Sequence, residues 1–388
     1  MKLLIADPFL TASSPTMRGI ASSLDAILPV FDEIEVWATE CEWDHPKVKW
    51  QKVERRFKPW PLHSMYYSYV VGKWLKELDL EDPDLLVQTS GCFLAKTDIR
   101  YIQFWNHAFF EESRKRPESL KPDLKTSLLG KRTAKLEAKL AGDAESTREW
   151  WVVSRNLAAR IAEQTPEGSA FEILPNSYNR NLFKRATSEA WRKTMRLHYE
   201  IGADTKVLAF AAFGHFERKG LRQAVETIRL LREQGHDIVL LIFGGKQAAI
   251  ASFKDSLRGE MKGIVFTGHV DHIEKHLSAA DGFFFPSHFE AFSLAEIEAA
   301  ALGLRLYLTP HYGSEMILRE PTNGRLLPWD PPGMAEAIAT DIREGLFGKP
   351  HGELGEALAA GDYSERLAGM YRRAISRKRA VKPTKPEV

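Results

Sequence analysis

At 388 residues with 44% hydrophobic content, the chain exceeds one ordinary core and suits two domains of roughly 150 to 200 residues each. Lys and Arg total 54 against 52 Asp and Glu, so net charge gives no general reason to expect nucleic acid as a partner. Two cysteines, Cys41 and Cys92, are too few for a disulfide framework or a thiolate zinc site, and no window approaches the ~18 uninterrupted apolar residues of a membrane span.

The chain opens with MKLLIADPF, one lysine and a short apolar run that gives way at once to TASSPTMRG. This reads as a first buried strand rather than a signal peptide, so a cytoplasmic location is expected. Further strand candidates are IEVWA (34–38), LLVQTS (85–90), IRYIQFW (99–105) and WWVVS (150–154), with helical stretches from about Gly19 and at NLAARIAEQ. Apolar runs of this length separated by helices are what a parallel sheet covered on both faces requires. Between them, KVKWQKVERRFKPWPLHSMYYSYVVGKW (47–74) is basic first and aromatic afterwards. Such a stretch can meet an anionic lipid surface or bind a polyanionic saccharide. The plainer alternative is a partly buried helix with a charged approach loop.

The second half repeats the plan. KVLAFAAFG (206–214) precedes GLRQAVETIRLLREQG, whose Leu221, Ala224, Val225, Ile228 and Leu231 mark one apolar helix face. DIVLLIFGG (237–245), GIVFTG (263–268), GFFFPS (282–287) and RLYLTP (305–310) continue the series. The expected fold class is therefore α/β, with two Rossmann-like doubly wound parallel-sheet domains facing a central cleft, and ligands beyond the carboxyl ends of the strands. The break falls near ILPNSYNRNLF (173–183), where turn chemistry dominates. This gives domains 1–176 and 177–352, a helix over 353–376 packing back toward the N-terminal domain, and a basic flexible tail, 377–388.

FEAFSLAEIEAAALG (289–303) holds the most pointed chemistry. Ser293 and Glu296 form the S-x-x-E pattern of a capping box, so a helix should start at Leu294, and Gly303 is placed to end it. Glu298 then lies at or near the edge of the covered face; the bland alternative puts it on the solvent side. The backbone N–H groups of Phe292, Ser293 and Leu294 can receive an anion at the helix start. Glu290 stands in the loop before the cap, so two carboxylates can take hydroxyls while a phosphate sits between them. GHFERKGL (214–221) places Arg218 and Lys219 among glycines, a means of setting cations against a diphosphate. It lacks both the G-x-G-x-x-G and the G-x-x-x-x-G-K-[ST] spacing, and an exposed basic loop is the alternative.

Four segments in order, ILPNSYNRNLF, GHFERKG, FTGHV (266–270) and PSHFEAFSLAEIEAAALG (286–303), resemble the retaining GT-B glycosyltransferases of family 4, the glycosyl transferases group 1 type. GSEM (313–316) and NGRLLPWD (323–330) resemble its further donor-domain segments. The resemblance is strong over 173–345, and its most specific piece is the E-x7-E pair, Glu290 and Glu298. It implies a nucleotide-diphosphate sugar, with UDP or GDP as carrier, as donor substrate. Glu298 would hold the ribose, Glu290 would lie by the sugar or reacting centre, and Lys219 would neutralise the diphosphate. Gly268, His269 and Val270 would lie by the base, and Gly214 and His215 beside the phosphates. The family commonly shows G-R-x-x-x-x-K-G; here His215 follows Gly214 and one residue fewer precedes Lys219, so the companion arginine is missing in register, and Arg218 is the candidate to replace it. His107, in FWNHAFF after the strand-like IRYIQFW, is the candidate for the histidine facing the sugar, a structural role being the alternative. No metal or other cofactor is called for.

The activity so implied is sugar transfer, with retention, to a saccharide or lipid-linked hydroxyl in cell-surface polysaccharide or glycolipid biosynthesis. A peripheral position on the inner membrane face goes with a lipid-linked acceptor. A catalytically silent nucleotide-sugar-binding protein and a GT-B nucleotide-sugar epimerase are the alternatives. Neither oligomeric state nor the identity of base, sugar or acceptor follows from the sequence.

Overall fold

Strand β1 (Lys2–Ala6) buries all four residues after Lys2, and an apolar strand of that kind needs cover on both faces and parallel neighbours on both edges. A computed structural model supplies them; it describes residues 1–58, 60–90, 95–115, 124–257, 259, 261–348 and 362–380. The chain divides into two compact units, Met1–Ser177 with Ala360–Val388, and Tyr178–Ala359.

In the first unit β1 lies between β3 (Glu33–Ala38) and β6 (Leu85–Ser90), both parallel to it. The short β2 (Phe9–Leu10) and β4 (Glu40–Cys41) pair with each other outside that sheet. Adding β5 (Val48–Lys52), β7 (Thr97–Ile102), β8 (Thr147–Val152) and β9 (Ala170–Ile173) gives seven strands in the order β5-β3-β1-β6-β7-β8-β9. The order reverses between β1 and β6, so the segments leaving those two strands part company there and open a crevice. The basic half of the 47–74 stretch is the edge strand β5, which exposes four of its five residues. Lysines along an unpaired edge discourage further strand addition. The aromatic half is helix Trp60–Leu75, which buries Tyr67, Val71 and Leu75 against β1 and β6 residues such as Leu4 and Val87 and leaves Leu62, Met65 and Tyr69 exposed.

The second unit has six parallel strands: β10 (Lys206–Ala211), β11 (Ile238–Phe243), β12 (Ile264–Gly268), β13 (Gly282–Phe285), β14 (Arg305–Leu308) and β15 (Gly324–Leu326), in the order β12-β11-β10-β13-β14-β15. Here the reversal falls between β10 and β13. Helix Leu221–Glu233 buries the five residues whose spacing marks its apolar face, and Thr227 with them.

The C-terminal helix, Tyr363–Ala380, packs on the first unit. Tyr371 donates to Gln88 Oε1 at 2.7 Å, Lys378 reaches Asp98 Oδ2 at 2.8 Å, and Arg377 meets both oxygens of Glu149 at 2.6 and 2.8 Å. This corrects the expected start of a flexible tail at 377: those cations are anchored by buried or half-buried carboxylates, so the helix continues to Ala380. The rest of the tail, 381–388, and the beginning of the expected 353–376 helix lie outside the described residues. None of the described helices is long and apolar enough to cross a membrane.

Candidate functional site

The loops leaving β10 and β13 come together at the switch point of the second sheet, and a glycine decides how closely. Gly220 has φ +75°, and a Cβ there would stand 1.9 Å from the carbonyl oxygen of Pro286, so both its conformation and its contact require the absence of a side chain. His288 N–H then donates to Arg218 O at 2.9 Å, tying the loops to each other. His215, also left-handed at φ +55°, turns the chain so that Lys219 N–H reaches back to its carbonyl at 2.9 Å.

This places Arg218 and Lys219 over Glu290. Lys219 Nζ donates to Glu290 Oε1 at 2.9 Å, Ser287 Oγ to the same oxygen at 3.0 Å, and Arg218 Nη1 at 3.3 Å. Arg218 Nη1 also donates to Phe289 O at 2.6 Å. Desolvation pushes the buried Glu290 carboxyl up, but the charges of Lys219 and then Arg218 outweigh it and hold the group at about 2. Glu290 therefore remains a carboxylate at any physiological pH, and it fixes both cations in place. His215 is held below its ordinary value by desolvation and by Arg218 and Lys219.

Helix Leu294–Ala301 begins just beyond this cluster with Ser293 at its N-cap. The expected capping box is not formed, for Ser293 makes no side-chain cap bond and Glu296 turns into the core instead. There its Oε1 lies 3.0 Å from His311 Nε2, both side chains being essentially inaccessible. Gly313 N lies 3.3 Å from His311 Nδ1. The Glu296–His311 separation is that of an ion pair, though the N–H is not aimed well enough at the oxygen for a hydrogen bond. Phe292 and Ser293 are buried, while Leu294 and Glu298 are half-buried.

At the end of β12, Gly268 takes φ +73° and its carbonyl accepts from Gly244 N–H at 2.7 Å. His269 is exposed, Val270 is half-buried, and the His269 ring meets Phe213 at 6.0 Å between centroids. Phe213, next to Gly214, is 83% exposed. The structure thus gathers Gly214, His215, Arg218, Lys219, Glu290, Phe292, Ser293, Leu294 and Glu298 at the β10–β13 switch, with Gly268, His269 and Val270 linked to them through Phe213.

His107 belongs to the first unit, on helix Asn106–Arg114. Its Nδ1 lies 3.0 Å from Gln164 Nε2 and 3.6 Å from Glu111 Oε2, and desolvation followed by Arg160 and Arg114 lowers its pKa. The first unit's crevice is a cavity of about 870 Å³ lined by Asn106 rather than by His107, and its walls include Asp7, Ser90, Tyr101 and Gln103. Asp7, immediately after β1, accepts from Phe9 N–H at 2.8 Å and from Ser90 Oγ; burial raises its carboxyl to about 6 despite these bonds. Sequence reasoning passes over Asp7, Phe213 and His311. The signal for Asp7 is a carboxylate directly after the first strand of a doubly wound sheet, and for His311 a lone histidine after RLYLTP.

Both sheets and their switch points define the GT-B architecture, and solved structures share it along the whole chain. WaaG, a glycosyltransferase involved in lipopolysaccharide biosynthesis, superposes with a TM-score of 0.68 at 17% identity, covering 98% of this chain and 100% of that one. The sucrose-phosphate synthase of Thermosynechococcus elongatus gives 0.69 at 14% identity, over 97% and 99% of the two chains. The glycosyl transferases group 1 family matches residues 204–343, and the glycogen synthase of Mycobacterium tuberculosis is 32% identical over 125 residues, 31% of this chain. That match spans 30% of the length of the curated relative. The chain is a GT-B-fold protein related to the glycosyl transferases group 1 family. Among the described residues no group of three or more His, Cys, Asp or Glu side chains is arranged to hold a metal ion.

Proposed function

We propose that this protein is a nucleotide-sugar-dependent glycosyltransferase that moves a sugar, with retention, to a hydroxyl of a saccharide or lipid-linked acceptor in cell-surface polysaccharide or glycolipid biosynthesis. The observation that carries the reading is the Lys219–Glu290 contact at 2.9 Å, set at a switch point beside the start of helix Leu294–Ala301. The donor's diphosphate lies against that helix start, where the first-turn amides have no acceptor within the helix. Glu298 takes the ribose hydroxyls, and Gly268, His269 and Val270 border the base with Phe213 beside them.

In the transfer, the bond between C1 and the phosphate oxygen breaks with its electron pair going to phosphate. The acceptor oxygen forms the new bond to C1, and its proton passes to the departing phosphate. Charge develops on the leaving group, and Lys219, Arg218 and the amides of Phe292, Ser293 and Leu294 are already in place to meet it, which is what electrostatic preorganisation requires. Glu290, ionised at about 2, has no proton to give. Its part is to hold the two cations and to present negative charge near the sugar, where positive charge builds up. A domain that binds the acceptor and excludes water protects the donor from hydrolysis.

Thermal shift with UDP, GDP and ADP, followed by turnover of sugars carrying the preferred diphosphate and NMR of the product anomer, tests this reading. The expected result is stabilisation by one diphosphate and a product with the donor's anomeric configuration. Binding without turnover across donors and acceptors would favour a silent nucleotide-sugar-binding protein, and release of an epimerised sugar would favour an epimerase.

A peripheral membrane position belongs to the same reading. Leu62, Met65 and Tyr69 are exposed at i, i+3 and i+7 of one helix, one face of which can enter a lipid interface. Flotation with vesicles should carry the protein upward, and Met65→Glu with Tyr69→Glu should leave it at the bottom. Equal flotation of both proteins would dismiss that face as the contact.

A further inference from the structure

Three cations line the first unit's cavity, Lys73, Lys76 and Arg132. All are exposed, and none of their side chains has a hydrogen-bond or ion-pair partner among the described residues. Lys73 stands in the last turn of helix Trp60–Leu75 and Lys76 just past its end. A helix C-terminus favours positive charge there, which accounts for two of the three. It does not account for Arg132, which helix Leu124–Ala141 brings to the same cavity from elsewhere in the chain.

The cavity's own carboxylates do not neutralise them. Glu137 is buried, and its two oxygens accept from Asn106 Nδ2 and from His107 N–H, each at 2.7 Å. Asp7 is buried and takes the Phe9 amide and the Ser90 hydroxyl. The exposed part of the lining therefore offers positive charge, while its buried and half-buried part offers Asp7, Ser90, Tyr101 and Gln103, a set suited to sugar hydroxyls.

We propose that this cavity binds an acceptor that carries a phosphate group, the phosphate meeting Lys73, Lys76 and Arg132 and an acceptor hydroxyl directed toward Asp7. The inference rests on the glycosyl-transfer reading above and adds to it the chemical class of the acceptor. A phosphate monoester carries about 1.5 to 2 negative charges near neutral pH and several acceptor oxygens, so it answers three cations better than a single carboxylate would. The phosphate can belong to a soluble sugar phosphate or to a lipid headgroup.

Calorimetric titration of the full-length protein with inorganic phosphate, glucose 6-phosphate and glucose tests the soluble source; sedimentation with vesicles containing phosphatidic acid, a phosphate monoester, against phosphatidylcholine alone, whose phosphate is a choline-bearing diester, tests the lipid one. The wild type should prefer the probe with the uncapped phosphate by about ten-fold or more in at least one arm, with the preference falling as salt rises. The Lys73→Gln/Lys76→Gln/Arg132→Gln variant should lose that preference, and Lys73→Arg/Lys76→Arg/Arg132→Lys should keep it. No preference in either arm, or a preference that survives the glutamine changes, overturns the proposal. UDP binding to the glutamine variant, read in parallel, reports on the second unit alone: its absence would count against the donor reading and leave the phosphate result standing.

Discussion

Lys219→Ala is expected to lower kcat/KM by about 10² to 10³, roughly the 2.7–4 kcal/mol that one preorganised donor supplies to a transition state. Most of the loss should fall on kcat, because the charge that Lys219 meets is larger on the departing diphosphate than on the bound donor. Nothing in the loop has to rearrange for this: Nζ is already positioned by Glu290 and lies 4.9 Å from the centre of the Phe285 ring. Arg218 shares the same oxygen at 3.3 Å but is also committed to a backbone carbonyl, so it offsets the loss only in part. The substitution also acts on Glu290. Lys219 contributes the largest of the charges that depress this carboxyl, and without it burial should raise the group. A depressed carboxylate adds stability above its ordinary value of 4.5 that disappears as pH falls through about 2. The variant should therefore lose part of that increment at neutral pH and unfold more readily in urea. Steady-state kinetics beside Glu298→Ala provides the check: unchanged donor turnover in both variants would remove the diphosphate from this helix.

What the sequence reveals of this cluster, and what it hides, divides along the line between local and non-local interactions. Strands β10, β11 and β13 are readable as unbroken apolar runs because a central parallel strand is covered on both faces, and helix Leu221–Glu233 is readable because one face alone is covered. Strand β5 gives no such signal: at the sheet edge only Val48 is even half-buried, so KVKWQK looks like a charged loop. The strand read over 99–105 stops at Ile102 because Gln103 turns away to Asn176, 2.6 Å from its amide. The S-x-x-E pattern misleads for a related reason. It is a local pattern, and a partner fifteen positions away, His311, draws Glu296 inward. Asp7 with Ser90 and Glu290 with Lys219 are likewise brought together by strand order, which a run of residues does not display. The E-x7-E spacing draws attention to this neighbourhood through resemblance rather than through any periodicity of its own.

His311→Leu should be the most damaging of the single changes, at about 3–5 kcal/mol, the usual cost of removing one partner from a buried ion pair. The imidazole and the Glu296 carboxylate are 1% and 0% exposed, so neither can turn to water when the other is lost. The cost arises from the stranded carboxylate rather than from the missing contact. His311→Leu/Glu296→Leu should accordingly recover most of the loss, since apolar groups filling both places leave no charge to desolvate. Titration separates this from simple cavity formation. Desolvation raises Glu296, and His311 is raised by Glu296 and then Glu290 against its own burial. Both groups thus bind protons more tightly in the native state than in the unfolded one. Stability should then fall as pH climbs, through Glu296 from above its ordinary 4.5 and through His311 from above 6.5. Urea unfolding of wild type across that window should show the decline and the double variant should flatten it. Equal losses in the single and double variants, or a wild type whose stability does not fall with pH, would mean that Glu296 and His311 do not act as a coupled pair beneath the helix that carries Glu298.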